Sequence, residues 1–348
     1  MKIYSDIKNN YFAVFDTSNG RTLRWGQNRA DPFWKYNGPE LLDVSITNYC
    51  ERGCDFCYRS SNLSGKFMDV DFYRDIVEEA QKLGVFQIAL GGGNPNQHPE
   101  FIDFLKITRD YGIIPSYTTN GQGMNDDIYK ASKEYAGAIA VSWYFPYKDA
   151  EEVIKKCNDY NIPVNIHFVL QNDNIYEAEK ILNDYRITEN INALIFLNYK
   201  PVGRILKRPL EHSKQLTNFL SNVISIKNCQ IGFDSCMICH LVDYKELIDE
   251  RSFDFCEAGR FSAFVSEEGE MYPCSFMCGA GIKGYNLRQN SMEHIWKNAP
   301  LFVLQRKKIS SVSEGCKDCM AQDLCRGGCP FFEINKCKNK EKVDGATE

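Results

Sequence analysis

The sequence predicts an α/β protein, a partial (β/α)6 barrel followed by a cysteine-rich module. Two observations predict it. Strand-like apolar runs alternate with helical stretches six times between residues 41 and 204, the rhythm of βα units that build a parallel sheet. Beyond Gly203 the rhythm fades, and eleven of the 15 cysteines crowd into residues 229–337.

The elements follow in order. Residues 1–40 precede the barrel; within them Tyr11 to Phe15 is apolar, Asn19-Gly20 offers a tight turn, and Arg21 to Trp25 alternates, predicting a hairpin over 11–25. Barrel strands are expected at 41–47, 86–90, 113–118, 138–143, 163–170 and 193–199, with helices at 69–83, 99–111, 125–135, 149–160 and 174–185 between them. His98-Pro99-Glu100 reads as a helix start with Pro in the first turn. A linker with a helix at 211–224 spans 205–228, the cysteine-rich module spans 229–337, and the polar tail 338–348 is expected to be disordered. Parallel βα units place their functional loops on one face, at the strand C-termini.

Composition narrows the function. Apolar residues make up 43% and charged residues 25% of the 348 positions, ordinary for a globular protein. The net charge of -5, with Lys and Arg scattered, argues against a nucleic-acid partner. The first ten residues carry no secretory core, and no apolar run approaches the ~18 residues of a membrane helix. A cytoplasmic location is therefore expected, where thiols stay reduced and so many cysteines point to metal or cluster ligation rather than disulfides.

Cys50-Glu51-Arg52-Gly53-Cys54-Asp55-Phe56-Cys57 follows directly on the first barrel strand, at the face where such barrels work. Three thiolates on one loop can hold three irons of a four-iron cluster and leave the fourth iron open. The alternative is a zinc site completed by a distant fourth ligand.

The C-x3-C-x2-C run, with an aromatic before its last Cys, resembles the signature of the radical S-adenosylmethionine (radical SAM) superfamily, whose fold is a partial TIM-like barrel. The resemblance covers residues 41 to about 204 and implies a [4Fe-4S] cluster on Cys50, Cys54 and Cys57, with S-adenosylmethionine chelated at the open iron. Phe56 then belongs to the cofactor site. Gly91-Gly92-Gly93-Asn94-Pro95, after the second strand, stands where the family has Gly-Gly-Glu, so Gly92, Gly93 and Asn94 are expected at the methionine moiety. Asn94 replaces a Glu, and an uncharged acceptor makes that contact weaker. Thr119-Asn120-Gly121 resembles the family's Thr-Asn-Gly segment, and Ser142 matches a Ser that contacts the ribose. Leu194 to Arg204 ends in Pro-x-Gly-Arg, as in related proteins.

The downstream cysteines resemble the SPASM extension, which holds two auxiliary [4Fe-4S] clusters. Cys256-x12-Gly269-x4-Cys274 is followed by Cys316-x2-Cys319-x5-Cys325-x3-Cys329 and then Cys337. The resemblance assigns Cys256, Cys274 and Cys329 to the first auxiliary cluster, and Cys316, Cys319, Cys325 and Cys337 to the second. The first still needs an upstream ligand; Cys236 and Cys239 are the nearest, and Cys236 is expected to fill the position. A pair of zinc ribbons is the alternative. Cys157, Cys229 and Cys239 are left over, with Cys278, which reads as a packed thiol or as a hydrogen donor to a substrate radical.

The resemblance implies an enzyme that cleaves S-adenosylmethionine to a 5′-deoxyadenosyl radical and takes a hydrogen atom from substrate. Two auxiliary clusters point to maturation of a ribosomally made peptide by crosslinking, thioether formation or epimerisation, with a flavodoxin- or ferredoxin-type reductase as partner. Oxidation of a small alcohol or sugar, or of a sulfatase residue, is the alternative enzymatic reading. A zinc-binding or electron-transfer module is the non-enzymatic one. The 11–25 hairpin offers a leader peptide an edge strand or caps the barrel bottom.

Overall fold

The computed structural model describes all 348 residues except 19, 29–31, 227–228, 250–251, 312–313, 333 and 335–348. Asn19, Cys337 and the 338–348 tail therefore lie outside the described residues. A small antiparallel sheet comes first: β1 (Lys2–Asp6), β2 (Tyr11–Phe15) and β3 (Thr22–Trp25). The expected hairpin is β2–β3, gaining β1 as a third strand and pairing Phe15 with Thr22 across a longer connection than a two-residue turn. Alternation in β2 buries Tyr11, Ala13 and Phe15 against Phe86, Ile114 and Phe261. Phe86 and Ile114 lie at the start of barrel strands, so this sheet caps the barrel end opposite the strand C-termini.

The six expected βα units form: β4 (Leu41–Thr47), α1 (Val70–Lys82), β5 (Gln87–Gly92), α2 (Phe101–Asp110), β6 (Ile114–Thr119), α3 (Asp126–Tyr135), β7 (Ala138–Ser142), α4 (Lys148–Asp159), β8 (Val164–Leu170), α5 (Ile175–Asn183), α6 (Tyr185–Thr188) and β9 (Ala193–Asn198). Local chemistry starts the helices where the sequence signals them. Asp69 accepts from Phe72 N at 2.9 Å and Asn125 from Ile128 N at 3.0 Å, each satisfying an otherwise orphaned amide. In β8 the period-two pattern buries Val164, Ile166, Phe168 and Leu170 and leaves Asn165, His167 and Val169 half-buried.

After α7 (Lys214–Ser225), β10 (Gln230–Phe233) and α8 (Ile238–Leu241), the C-terminal part contributes β11 (Ser262–Val265), β12 (Glu270–Tyr272), α9 (Ser275–Gly279), β13 (Tyr285–Asn286), α10 (Met292–Asn298), α11 (Pro300–Ser310) and α12 (Gln322–Cys325). The large sheet runs β10-β9-β8-β7-β6-β5-β4-β11-β12-β13. Strands β10 through β11 are parallel neighbours, with Phe233 opposite Phe196 and Phe264 opposite Asp43; β12 and β13 are antiparallel. The six expected strands thus gain a parallel neighbour on each side. Both additions are four residues long, too short for alternation to reveal. The sheet ends in β10 and β13 and does not close. Arg24 of β3 donates to Glu40 at 2.9 Å, Asp254 at 2.7 Å and Glu257 at 2.9 Å, tying the N-terminal sheet to the segment around Cys256.

Candidate active site

A cavity of about 420 Å³ opens at the C-terminal ends of the parallel strands. Cys50, Cys54, Phe56, Cys57, Gly92, Gly93, Thr119, Asn120 and Ser142, all singled out from the sequence, line this one space. Asn94 does not.

The cysteine loop leaves β4 and is clamped from three sides. Cys50 N donates to Asn62 O at 3.1 Å and Cys57 N to Cys54 O at 3.2 Å. Arg52 reaches the β7–α4 connection, donating to Tyr144 O at 3.0 Å and pairing with Asp149 at 3.0 Å. The Pro-x-Gly-Arg segment straps the loop from behind: Arg204 N donates to Cys57 O at 3.1 Å and its guanidinium to Cys54 O at 3.2 Å and to Ser61 O. Gly203 has φ +99°, and a Cβ there would stand 2.3 Å from Cys57 O, so only glycine allows this approach. On the other flank, a Cβ on Gly93 would meet Tyr49 O at 2.0 Å. The glycine run is needed first for backbone against backbone.

Burial, and then the charges of Cys57 and Cys50, push the Cys54 thiol up, with Arg52 opposing. Three thiols whose charges add in this way suit a cationic, soft-metal partner. Among the described residues no three His, Cys, Asp or Glu side chains converge tightly enough for a single metal ion. Zinc draws its thiolates to ~2.3 Å around one centre, whereas a four-iron cluster spreads them around its faces. The donor set fits a cluster.

Around the loop, Asn120 Nδ2 donates to Cys50 Sγ at 3.5 Å. Phe56 packs edge-on to Tyr144 at 4.7 Å between ring centres, and Tyr144 hydrogen-bonds Ser142. Asn94 is fully buried with its side chain turned away from the cavity. Its Nδ2 donates to Gln122 O at 2.8 Å, and its Oδ1 accepts from Asn120 N at 3.1 Å and Thr119 Oγ1 at 3.2 Å. The sequence places Asn94 at the methionine moiety; in the structure Asn94 braces the Thr119-Asn120 segment, which itself faces the cavity.

Several cavity residues carried no motif. Asp43, inside β4, has its carboxyl pushed up to about 7 by burial. His167, on β8, is pushed down to about 4 by burial. Lys200, just past β9, pairs with Asp234 at 3.2 Å and lies 4.1 Å from the centre of the Phe276 ring. A lone charge in an apolar strand (Asp43 in Leu41–Thr47) is the signal that could have flagged one of them.

Ser275 and Phe276 extend the cavity wall to Cys274. Behind them sit four cysteines assigned above to the first auxiliary cluster. Burial, with Cys329 adding to it, raises Cys256 to about 12 and Cys274 to about 11. Cys236 is pushed well up by burial, with Cys256 and Cys329 adding to it. Gln305 Nε2 donates to Cys256 Sγ at 3.5 Å and Phe332 N to Cys329 Sγ at 3.4 Å. Cys236 lies within electrostatic reach of Cys256 and Cys329, while Cys239 is turned toward Cys325. Cys316 and Cys319 lie in one turn, with Cys319 N donating to Cys316 O at 3.1 Å. Cys278 does not line the cavity: Arg59, itself paired with Glu267, donates to its thiol. Cys157 is a buried core residue of α4.

Comparison with known proteins agrees with this geometry. Residues 44–144 match the model of the radical SAM superfamily, and residues 256–320 that of an iron–sulfur cluster-binding domain, SPASM. The mycofactocin maturase of Mycobacterium ulcerans is 23% identical over 84% of this chain and 83% of its own. The PqqA peptide cyclase of Xanthomonas oryzae is 24% identical over 89% of this chain and 88% of its own. Among solved structures, SuiB of Streptococcus suis superposes with a TM-score of 0.70 at 19% identity, covering 87% of this chain and 78% of its own. The protein anSMEcpe, with bound AdoMet and a peptide, gives 0.67 at 17% identity, covering 88% and 96%. The chain thus carries a radical SAM domain and a SPASM domain, and these imply a [4Fe-4S] cluster, S-adenosylmethionine and auxiliary iron–sulfur clusters.

Proposed function

We propose that this enzyme modifies a peptide, using Cys50, Cys54 and Cys57 for the radical cluster and Cys236, Cys256, Cys274 and Cys329 for an auxiliary cluster on the far side of the substrate. When bound, the cluster and S-adenosylmethionine supply a 5′-deoxyadenosyl radical that removes a hydrogen atom from substrate. The protein's part is placement. Gly91 to Gly93 and Thr118 to Asn120 form a backbone-lined wall beside the cysteine loop. Phe56, Tyr144 and Ser142, in contact with one another, line the same cavity. Asp43, His167 and Lys200 supply the polar groups that can orient a peptide's amides and side chains.

The observation that carries the reading is that one cavity is lined both by Cys50, Cys54 and Cys57 and by Ser275 and Phe276, the residues that follow Cys274. A substrate held there lies between the site of hydrogen removal and an electron acceptor, as an oxidative crosslink requires. The relatives named as a peptide cyclase and a maturase, and the SuiB structure bound to its precursor peptide, support a peptide as substrate. A low-potential flavodoxin or ferredoxin is the reductant, and the cytoplasm the setting. No helix among the described residues is long and apolar enough to cross a membrane.

Anaerobic enzyme given S-adenosylmethionine, dithionite and the peptide encoded beside its gene should change that peptide's mass or stereochemistry, with Cys50→Ala inactive. Unaltered peptide beside abundant 5′-deoxyadenosine defeats the peptide reading.

A further inference from the structure

Cys236 and Cys239 sit three positions apart, Cys236 in the single turn Ser235–Met237 and Cys239 in α8. Their thiols go separate ways. Cys236 lies within electrostatic reach of Cys256 and Cys329. Cys239 is 3% exposed, with its Sγ 3.6 Å from Cys325 Sγ. Cys325 and Cys329 make a matching pair on α12 and the turn after it. The two segments meet where Cys239 faces Cys325.

We propose that Cys239 is a ligand of the second auxiliary cluster, in one thiol set with Cys316, Cys319 and Cys325, taking the fourth position that the resemblance gives to Cys337, which lies outside the described residues. The assignment rests on the iron–sulfur reading of the C-terminal module. Sulfurs 3.6 Å apart are well beyond the ~2.05 Å of a disulfide, and thiols are weak donors and weak acceptors to each other. They are strong soft ligands once deprotonated. The rest of the set is at hand: a Cβ on Gly327, two residues past Cys325, would lie 3.6 Å from Cys316 Sγ. Ligation by Cys239 gives the two auxiliary clusters a second short covalent connection, 236–239, beside 325–329.

The test uses full-length protein with Cys50, Cys54 and Cys57 replaced by Ala, prepared anaerobically, so that only auxiliary iron remains. Iron and sulfide are counted, and reduced samples examined by electron paramagnetic resonance. This parent should hold about eight irons, two four-iron clusters; a parent without iron removes the iron–sulfur reading itself. Adding Cys239→Ala should cost up to half of the iron, or leave a three-iron signal, and the remaining spectrum should match that of Cys316→Ala. The milder Cys239→Ser should shift the second cluster's signal while circular dichroism shows an intact fold. Parent-like iron and spectrum in both Cys239 variants, or a Cys239→Ala spectrum matching Cys256→Ala, overturns the assignment.

Discussion

The Lys200 ammonium lies 3.2 Å from Asp234 Oδ2, and this buried ion pair stands between the cavity and the first auxiliary thiols. Burial disfavours the Lys200 charge, but Asp234, then Cys236 and Cys274, more than restore it. A fixed cation beside cluster thiolates favours the reduced cluster. Lys200→Met should therefore lower the first auxiliary cluster's reduction potential, measured by potentiometric titration with paramagnetic resonance detection. Lys200→Arg should restore much of it. Asp234→Asn, which strands the ammonium, should cost roughly 3 kcal/mol of stability. An unchanged potential in iron-replete Lys200→Met refutes the electrostatic role.

Gly203 sits at φ +99° directly behind Cys57 O. Gly203→Ala forces either backbone strain of roughly 1–3 kcal/mol or displacement of the cysteine loop. Auxiliary iron should stay while radical-cluster iron falls, so that iron per chain and S-adenosylmethionine cleavage decline together. Full iron and wild-type cleavage in this variant would show that the strap does not position the loop.

Much of this arrangement was legible in the sequence because it is built from local signals. Strand β4 and helices α1 to α5 announce themselves through the alternation of strand-like and helical stretches, and the cysteine loop through spacing. What escaped depends on long-range pairing. β11 becomes a barrel neighbour only because Phe264 finds Asp43. Lys200 acquires meaning only when Asp234, 34 positions away, comes to meet it. Asn94 was placed by its position in a motif, yet where its side chain points is decided by Gln122 O on a different loop. The choice between Cys236 and Cys239 likewise turned on which residues the far segment 325–329 brings alongside.

Asn94 therefore should not behave as a weakened Glu. Its amide group donates to Gln122 O and could not be replaced by a carboxylate without setting two acceptors against each other. Asn94→Asp and Asn94→Glu should each cost about 1–3 kcal/mol and weaken S-adenosylmethionine binding, read by thermal denaturation and titration calorimetry. Tighter binding in Asn94→Glu would mean that the side chain reaches the cofactor after all.

Asp43 supplies a test through pH. The residue lines the cavity within electrostatic reach of Tyr58 and Cys274, and burial lifts its pKa to about 7. A raised carboxyl pKa means that the folded state holds a proton that the unfolded chain releases near pH ~4. Between about pH 4 and 7 folding therefore retains the proton, and Asp43 makes stability fall as pH rises through that window. Above pH 7 the full cost of a buried carboxylate is present. Asp43→Asn has no such charge, so its melting temperature relative to wild type should climb from pH 5 to pH 8 and level off beyond. The difference should amount to on the order of 1–3 kcal/mol, allowing for water in the cavity. Paired anaerobic melts of iron-matched samples across that range decide it, and a pH-independent difference would place the Asp43 carboxylate in a far more polar setting than the cavity provides.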